Sequence, residues 1–173
     1  MDATYIKTVQ PSYNSTTTQA GGINVQAASS ISIYGSTQTF SSTYFVLNHR
    51  GYIFAAATGT YTFSTSNPDD IVFLWLGPNA YSGWTGNPSG GNDAFRVPYQ
   101  GYGSTTYNLV QGQYLPFRIV FGQQGGPVRF TFTITAPDGT VILDSNTQDS
   151  PYIVQYSCDG VAAPQWQDFG AET

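Results

Sequence analysis

Short runs of β-branched and aromatic residues, bounded by Gly, Pro or Asn, recur along this chain and limit the folds that it can adopt. In Thr60–Ser66, Tyr and Phe alternate with Thr and Ser, and in Val128–Thr135 apolar residues alternate with Arg and Thr. Such alternation places every second side chain on one buried face of a strand. No segment shows helical periodicity over three turns, so the pattern predicts an all-β, antiparallel β-sandwich.

Other runs predict the remaining strands of this sandwich. Ile71–Leu76 is apolar throughout, which is typical of a strand covered on both faces. Thr58-Gly59 predicts a tight hairpin turn, and Gly77–Ala94 predicts a long loop. The other predicted strands are 51–57, 105–110, 114–121, 141–143 and 152–156. Residues 1–45 and the segment after Asp159 give no clear pattern. The 173 residues contain no repeat or linker that would divide them, so we predict a single domain, 1–173.

The composition excludes two broad classes of protein. Charged residues make up only 9% of the chain, whereas Tyr and Phe number 13 and 11, and a chain so rich in aromatic residues is not disordered. The five basic residues are scattered, so no basic patch forms from neighbours in sequence. We therefore expect no nucleic-acid partner, and the net charge of −5 favours a cation or a neutral ligand.

The polar residues point to a secreted protein. Ser, Thr, Asn and Gln dominate, while Lys7 and Glu172 are the only Lys and Glu, and Asn14-Ser15-Thr16 is a glycosylation sequon. No run of 18 apolar residues predicts a membrane span, and no signal peptide is seen, so Met1-Asp2 is not expected to be the natural start. Cys158 is the only cysteine, and the sequence leaves two alternatives open: a partner thiol elsewhere or a buried free thiol.

Few residues could support catalysis. The chain has one His, His49, one Cys and one Glu, and it lacks the Gly-x-Ser-x-Gly motif of a nucleophile elbow. The His and Cys clusters of zinc sites are also missing from the sequence. We predict that the protein is not an enzyme, and that His49 is a loop or strand-edge residue.

Asn67-Pro68-Asp69-Asp70 is the segment with the clearest chemistry. It lies between two predicted strands, where adjacent carboxylates on a short loop repel each other. A divalent cation removes that repulsion, and calcium prefers the oxygen ligands that loops supply. A solvated Pro-Asp-Asp turn is the alternative interpretation.

The order of several motifs resembles the fungal GLEYA and flocculin-type adhesin domains, which are protective-antigen-like lectins with a jelly-roll-like β-sandwich. The segments that carry the resemblance are Gly51-Tyr52, Gly59–Phe63, Asp69-Asp70, Leu76-Gly77, Ala80–Trp84, Tyr114–Gln123, Ala136–Thr140 and Tyr156–Gly160. Together they cover roughly residues 50 to 170, with GLEYA as the closer branch.

The resemblance implies a calcium-dependent carbohydrate site. Asp69 and Asp70, joined by a cis peptide, would hold one Ca²⁺ and accept hydrogen bonds from the sugar. Gln123 and Gly125 would complete the metal ligands, although the family places an Asn where Gln123 stands. Gln124 would contact the sugar, and Tyr99 or Trp84 would stack on it, with Trp84 alternatively a buried loop anchor.

The function implied by this resemblance is glycan binding by an extracellular domain of a fungal cell wall or cell surface. Its partners would be cell-surface glycans or mono- and oligosaccharides, and we expect the isolated domain to be monomeric. A structural stalk without a ligand is the alternative, and a glycosidase is a third possibility.

Overall fold

In a computed structural model, the chain is described at residues 7–17, 19–26, 29–81, 84, 94–147 and 149–172. These residues form two main antiparallel sheets with a shared apolar core, which confirms the predicted all-β sandwich. The strands are β1 Gly22–Val25, β2 Ser30–Ser32, β3 Thr39–Ser41, β4 Phe45–Phe54, β5 Gly59–Asp69, β6 Ile71–Leu76, β7 Ala94–Val97, β8 Tyr102–Leu109, β9 Tyr114–Gln123, β10 Val128–Thr135, β11 Val141–Leu143 and β12 Ile153–Val154. A 3₁₀ helix, Gly77–Ala80, follows β6.

The first sheet has the order β1-β10-β5-β8, with β11 also paired to β10. The second sheet has the order β12-β4-β9-β6-β7, and β2 and β3 form a separate ribbon. The longest continuous pairing joins β4 to β9, from Phe45 opposite Gln123 to Phe54 opposite Tyr114. Strand β9 therefore lies in the middle of the second sheet, flanked by β4 and β6.

Strand β6 shows why the second sheet is covered on both faces. Val72, Leu74 and Leu76 point into the core between the two sheets, as part of its main apolar cluster. Phe73 and Trp75 point the other way and join a second apolar cluster on the outer face. The continuous apolar run at 71–76 predicted this arrangement correctly, since each face of the strand needs its own apolar side chains.

A buried arginine anchors the covering of that outer face. Arg118 of β9 is fully buried, and its guanidinium donates hydrogen bonds to the Ala80 carbonyl at 2.8 Å, to Asn48 at 2.8 Å and to Glu172 at 2.7 Å. Glu172 also binds Arg50. Burial lowers the pKa of Arg118 to about 10, while the Glu172 carboxylate opposes that shift. A buried cation needs such partners, so the segment that carries Glu172 is fixed across the sheet.

The structure extends several predicted strands toward one end. β4 begins at Phe45 rather than near residue 51, because it pairs with β9 along its whole length. β5 continues to Asp69, which pairs with Arg129, so the predicted loop at 67–70 is mostly strand.

Other elements differ from the prediction in another way. β12 is shorter than the predicted 152–156 strand, and β1, β2, β3 and β7 were not predicted. Within the predicted long loop at 77–94, residues 82–83 and 85–93 lie outside the described part of the chain.

Two further observations concern Cys158 and the membrane. Cys158 is a free thiol on the surface, so the interpretation of a buried thiol is wrong. It lies in a turn in which Asp159 accepts a hydrogen bond from Ser157. Among the described residues, no helix has the length and apolar character needed to cross a bilayer.

Candidate functional site

Asp69 and Asp70 lie where the chain leaves the first sheet and enters the second. Asp69 is the last residue of β5, and Ile71 is the first residue of β6. The peptide bond between the two aspartates is cis, as the resemblance implied. The two acidic residues therefore occupy the junction of the sheets at one end of the sandwich.

The surroundings of this pair make its charge unfavourable without a cation. Asp69 is only 7% exposed, and burial together with the neighbouring Asp70 raises the pKa of its carboxyl, while Arg129 lowers it. Arg129 is paired with Asp69 across the sheet, and its Nε donates to the Asn67 carbonyl at 3.0 Å. The pair is thus partly desolvated and only partly compensated by a cation of the protein.

The hairpin loop between β9 and β10 lies directly beside the acidic pair. The backbone N–H of Gln124 donates to Oδ2 of Asp70 at 2.5 Å, and the N–H of Asp70 donates to the Gly122 carbonyl at 3.3 Å. Gln124 itself is exposed and Gly125 is half-buried. The structure therefore places the loop that contains Gln123, Gln124 and Gly125 next to Asp70, and Gln124 contacts Asp70 directly.

Gln123 carries an unused hydrogen-bond acceptor at this position. Its side chain is buried, and Nε2 donates to the Pro127 carbonyl at 3.2 Å. Its Oε1 is buried without a hydrogen-bond partner, which is unusual because buried polar atoms are nearly always satisfied. A hard cation beside the carboxylates would supply that partner, so the donors present fit calcium.

The other donors of the site are not acidic. No group of three or more His, Cys, Asp and Glu that could hold a metal occurs among the described residues. The acidic pair would therefore be joined by amide and main-chain oxygens. Such a mixed oxygen set is the coordination that calcium accepts in loops.

Tyr99 lies next to the acidic segment on the other side. It is 55% exposed, in the turn that follows β7. The N–H of Asn67 donates to the Gly101 carbonyl at 2.8 Å, and that of Gln100 donates to the Pro68 carbonyl at 3.0 Å. These two bonds hold the turn against the residues that precede Asp69, so Tyr99 lies beside the acidic segment.

Trp84 is a correction to the predicted site. Its side chain is fully buried in the outer cluster, edge-on to Trp75 at 5.6 Å between ring centroids and 4.5 Å from the Arg118 guanidinium carbon. A fully buried ring offers no face to a sugar. Trp84 is therefore the buried anchor of its segment and not a stacking residue.

His49 is also placed differently from its prediction. It lies in the middle of β4, and the hydroxyl of Tyr34 is 2.8 Å from its Nε2. Burial lowers the pKa of His49 to about 4. His49 is therefore a half-buried residue in the interior of a strand, away from the strand end at which the acidic pair lies.

The acidic pair lies outside two surface grooves that run along β4. A groove of about 650 Å³ runs between residues 9–17 and the first half of β4, and neither aspartate lines it. A cation and a ligand at Asp69 and Asp70 would therefore bind outside these grooves.

Sequence reasoning missed two residues beside the site. Arg129 faces Asp69 across the sheet, and only the pairing of β5 with β10 shows this. Tyr44 lies in the part of the sequence that gave no pattern, yet its N–H donates to the Gln124 carbonyl at 3.1 Å. The signal available in the sequence was a tyrosine immediately before the apolar run Phe45-Val46-Leu47.

Comparisons with known proteins identify a family and a shared fold. The family model described as the GLEYA domain matches residues 45–136, a segment that contains Asp69, Asp70 and Gln123. Among solved structures, the epithelial adhesin 6 A domain of Candida glabrata, in complex with Galβ1-3GlcNAc, is 20% identical with a TM-score of 0.63, over 87% of this chain and 73% of that one.

The epithelial adhesin 9 A domain of Candida glabrata, in complex with Galβ1-4GlcNAc, is 15% identical with a TM-score of 0.59. The alignment covers 76% of this chain and 65% of the adhesin domain, so the chain spans slightly less than two thirds of that structure. At these identities the likeness shows a shared fold.

Proposed function

Because the chain belongs to the GLEYA domain family, we propose that it is a carbohydrate-binding adhesin domain that holds a sugar through one calcium ion at Asp69 and Asp70. The observation that carries the proposal is the unpaired, buried Oε1 of Gln123, next in sequence to Gln124, whose N–H binds the Asp70 carboxylate. The adhesin domains that share the fold are bound to galactose-containing disaccharides, which supports a glycan as the ligand.

Some residues of the site would bind the metal ion and others would bind the sugar. Asp69, Asp70, Gln123 Oε1 and the backbone of Gly125 would hold the ion, which supplies a positive centre for two vicinal sugar hydroxyls. The carboxylates would accept hydrogen bonds from those hydroxyls, while Tyr99 covers the apolar face of the ring. Gln124 is exposed and fixed by its main chain alone, so its side chain is free to contact a ring substituent.

We further propose that the domain acts without catalysis. The single His is half-buried in the middle of β4 and bonded to Tyr34, and the single Glu is bound by two arginines. Neither is placed to transfer a proton at the acidic pair. Glycan binding by a shallow site is weak, and many copies on an extracellular surface such as a fungal cell wall would raise it by avidity.

A glycan array with and without chelator tests this proposal. We expect binding in calcium, its loss in EDTA and its loss in the double variant Asp69→Asn, Asp70→Asn. The double variant Asp149→Asn, Asp168→Asn changes the net charge equally at exposed positions and should bind like the parent.

The same array separates the alternatives. Binding that persists in EDTA would disprove the calcium site, and an array without any binding in calcium would favour a structural stalk. Release of reducing sugar from an oligosaccharide would indicate a glycosidase. Gln124→Ala should alter which glycans bind while calcium affinity stays near that of the parent.

A further inference from the structure

Four neighbouring strands of the second sheet end, or begin, at the same edge of the sandwich. Their order across the sheet is β4, β9, β6 and β7. Phe45 at the start of β4 pairs with Gln123 at the end of β9, and Ile71 at the start of β6 pairs with Gly122. Val72 in turn pairs with Val97 at the end of β7.

The residues just outside these strand ends therefore follow one another in a line. Tyr44 precedes β4, Gln124 follows β9, Asp70 precedes β6, and Pro98-Tyr99 follows β7. Neighbouring strands lie about 4.7–4.9 Å apart. The backbone of Tyr99 is thus one strand spacing from that of Asp70. The backbone of Tyr44 lies on the opposite side of Asp70, two strand spacings or roughly 10 Å away.

Tyr44 has the properties of a ligand contact and lacks those of a core residue. It is 81% exposed, and in the described part of the chain its ring makes no aromatic contact and its hydroxyl no hydrogen bond. Its φ of 54° lies in the left-handed region, which is unfavourable for a bulky side chain. Neither burial nor backbone preference therefore explains a tyrosine at this position, and such outliers are concentrated at binding sites.

The backbone at Tyr44 is held firmly in place. Its N–H donates to the Gln124 carbonyl at 3.1 Å, so it is bonded to the same residue that binds Asp70. Before it, the Ser41 hydroxyl bonds the Thr43 hydroxyl at 3.1 Å and accepts from the Thr43 N–H at 3.2 Å. A fixed backbone presents an exposed ring at a small entropic cost on binding.

We propose that Tyr44 forms a second sugar subsite, which takes the unit next to the one held at Asp69 and Asp70. This inference rests on the proposed function of the acidic pair. One sugar ring is about as wide as one strand spacing, so a ring at Asp70 and Tyr99 leaves Gln124 and Tyr44 beneath the next unit. The site would therefore select oligosaccharides over the corresponding monosaccharides.

Calorimetry on Tyr44 variants in calcium tests the second subsite. The probes are methyl β-galactoside with Galβ1-4GlcNAc, and methyl α-mannoside with Manα1-2Man. Tyr44→Asn removes the ring and keeps a residue that tolerates the left-handed conformation. We expect it to weaken the disaccharide about 3- to 10-fold, the usual worth of an aromatic contact, and to leave the monosaccharide within about twofold.

Two controls separate the ring from the backbone. Tyr44→Phe keeps the ring and should keep most of the preference for the disaccharide. Tyr156→Ala removes an exposed tyrosine that follows β12, which pairs with β4 at Tyr52 and Ile53, far from Phe45. It should bind both probes like the parent.

The outcomes distinguish the subsite from the site on which it rests. If Tyr44→Asn weakens the binding of monosaccharide and disaccharide equally, or weakens neither, the second subsite is overturned. Calcium-dependent binding by the parent would then still support the proposed function. If the parent binds no probe, or if the double variant Asp69→Asn, Asp70→Asn binds the probes as well as the parent does, the proposed function fails. The second subsite then fails with it.

Discussion

The backbone N–H of Gln124 donates a 2.5 Å hydrogen bond to Oδ2 of Asp70, which ties the hairpin loop after β9 to the acidic residues before β6. A carboxylate oxygen that is already bound on one side has a fixed direction for its remaining lone pairs. The loop thus orients Asp70 before any ion arrives, and the donors of the two loops form one preorganised group.

Replacing the acidic pair should separate binding from folding. Since burial and Asp70 raise the pKa of Asp69, the ionised carboxylate is unfavourable in the folded protein without metal. Asp69→Asn should therefore abolish calcium binding and leave the metal-free melting temperature unchanged or higher. Calorimetry with calcium and thermal melting in EDTA measure the two effects, and a large fall in the EDTA melting temperature would contradict this account.

The side-chain carbonyl of Gln123 should contribute directly to calcium affinity. Gln123→Met keeps the approximate size of the side chain and removes Oε1, so calcium should bind about tenfold or more weakly. Gln123→Glu keeps an oxygen there and should retain binding. Calcium titrations compare the two variants, and equal losses in both would assign Gln123 a packing role through its bond to Pro127.

The two aromatic residues predicted as stacking partners should behave differently. Tyr99→Ala should weaken sugar binding by about 0.5–1.5 kcal/mol with little change in stability, because the ring is exposed. Trp84→Ala should lower the free energy of unfolding by about 3–5 kcal/mol, since it empties a buried site. Glycan titration and urea unfolding of both variants give the comparison, and the reverse pattern would exchange their roles.

Glu172 should support the fold through the two arginines. Glu172→Gln leaves Arg118 buried without its counter-charge, so the free energy of unfolding should fall by about 3–5 kcal/mol. Urea unfolding of this variant, with Asp168→Asn as an exposed control, measures the effect. Glycan affinity per folded molecule should not change, because Glu172 binds the outer face of the second sheet.

His49 gives a pH dependence with a definite sign. Its folded pKa of about 4 lies below the ordinary value of 6.5, so between these values the unfolded chain binds a proton that the folded chain does not. Stability should therefore be complete above about pH 6.5 and fall as the pH drops toward 4. His49→Gln should flatten this part of the stability profile measured by urea unfolding, and an unchanged slope would assign it to other groups.

The strands were predictable wherever local pattern and tertiary structure agree. Tyr61 and Phe63 alternate with polar residues, which predicts a strand buried on one face. Ile71–Leu76 is apolar throughout, which predicts a strand buried on both faces. β4 was predicted too short because Asn48, His49 and Arg50 break the apolar pattern, and only their partners across the fold explain how they are accommodated.

The candidate site was predictable only in part. Asp69 and Asp70 form a local segment with distinctive chemistry, whereas Gln123–Gly125 were predicted from the resemblance to the adhesin domains, and the structure places Gln124 against Asp70. Tyr44 and Trp84 could not be assigned in this way. Whether an isolated aromatic is exposed or buried depends on strand order, and strand order comes from contacts distant in sequence.

The line of strand ends from β4 to β7 has a consequence for how such a domain can diversify. The contacts of the proposed site stand at the tips of several strands, while the side chains that hold the sandwich together lie below, between the sheets. Exchanging one tip residue leaves the other tips and the packing beneath unchanged. Glycan preference and metal affinity can therefore be inherited as separate traits on one scaffold.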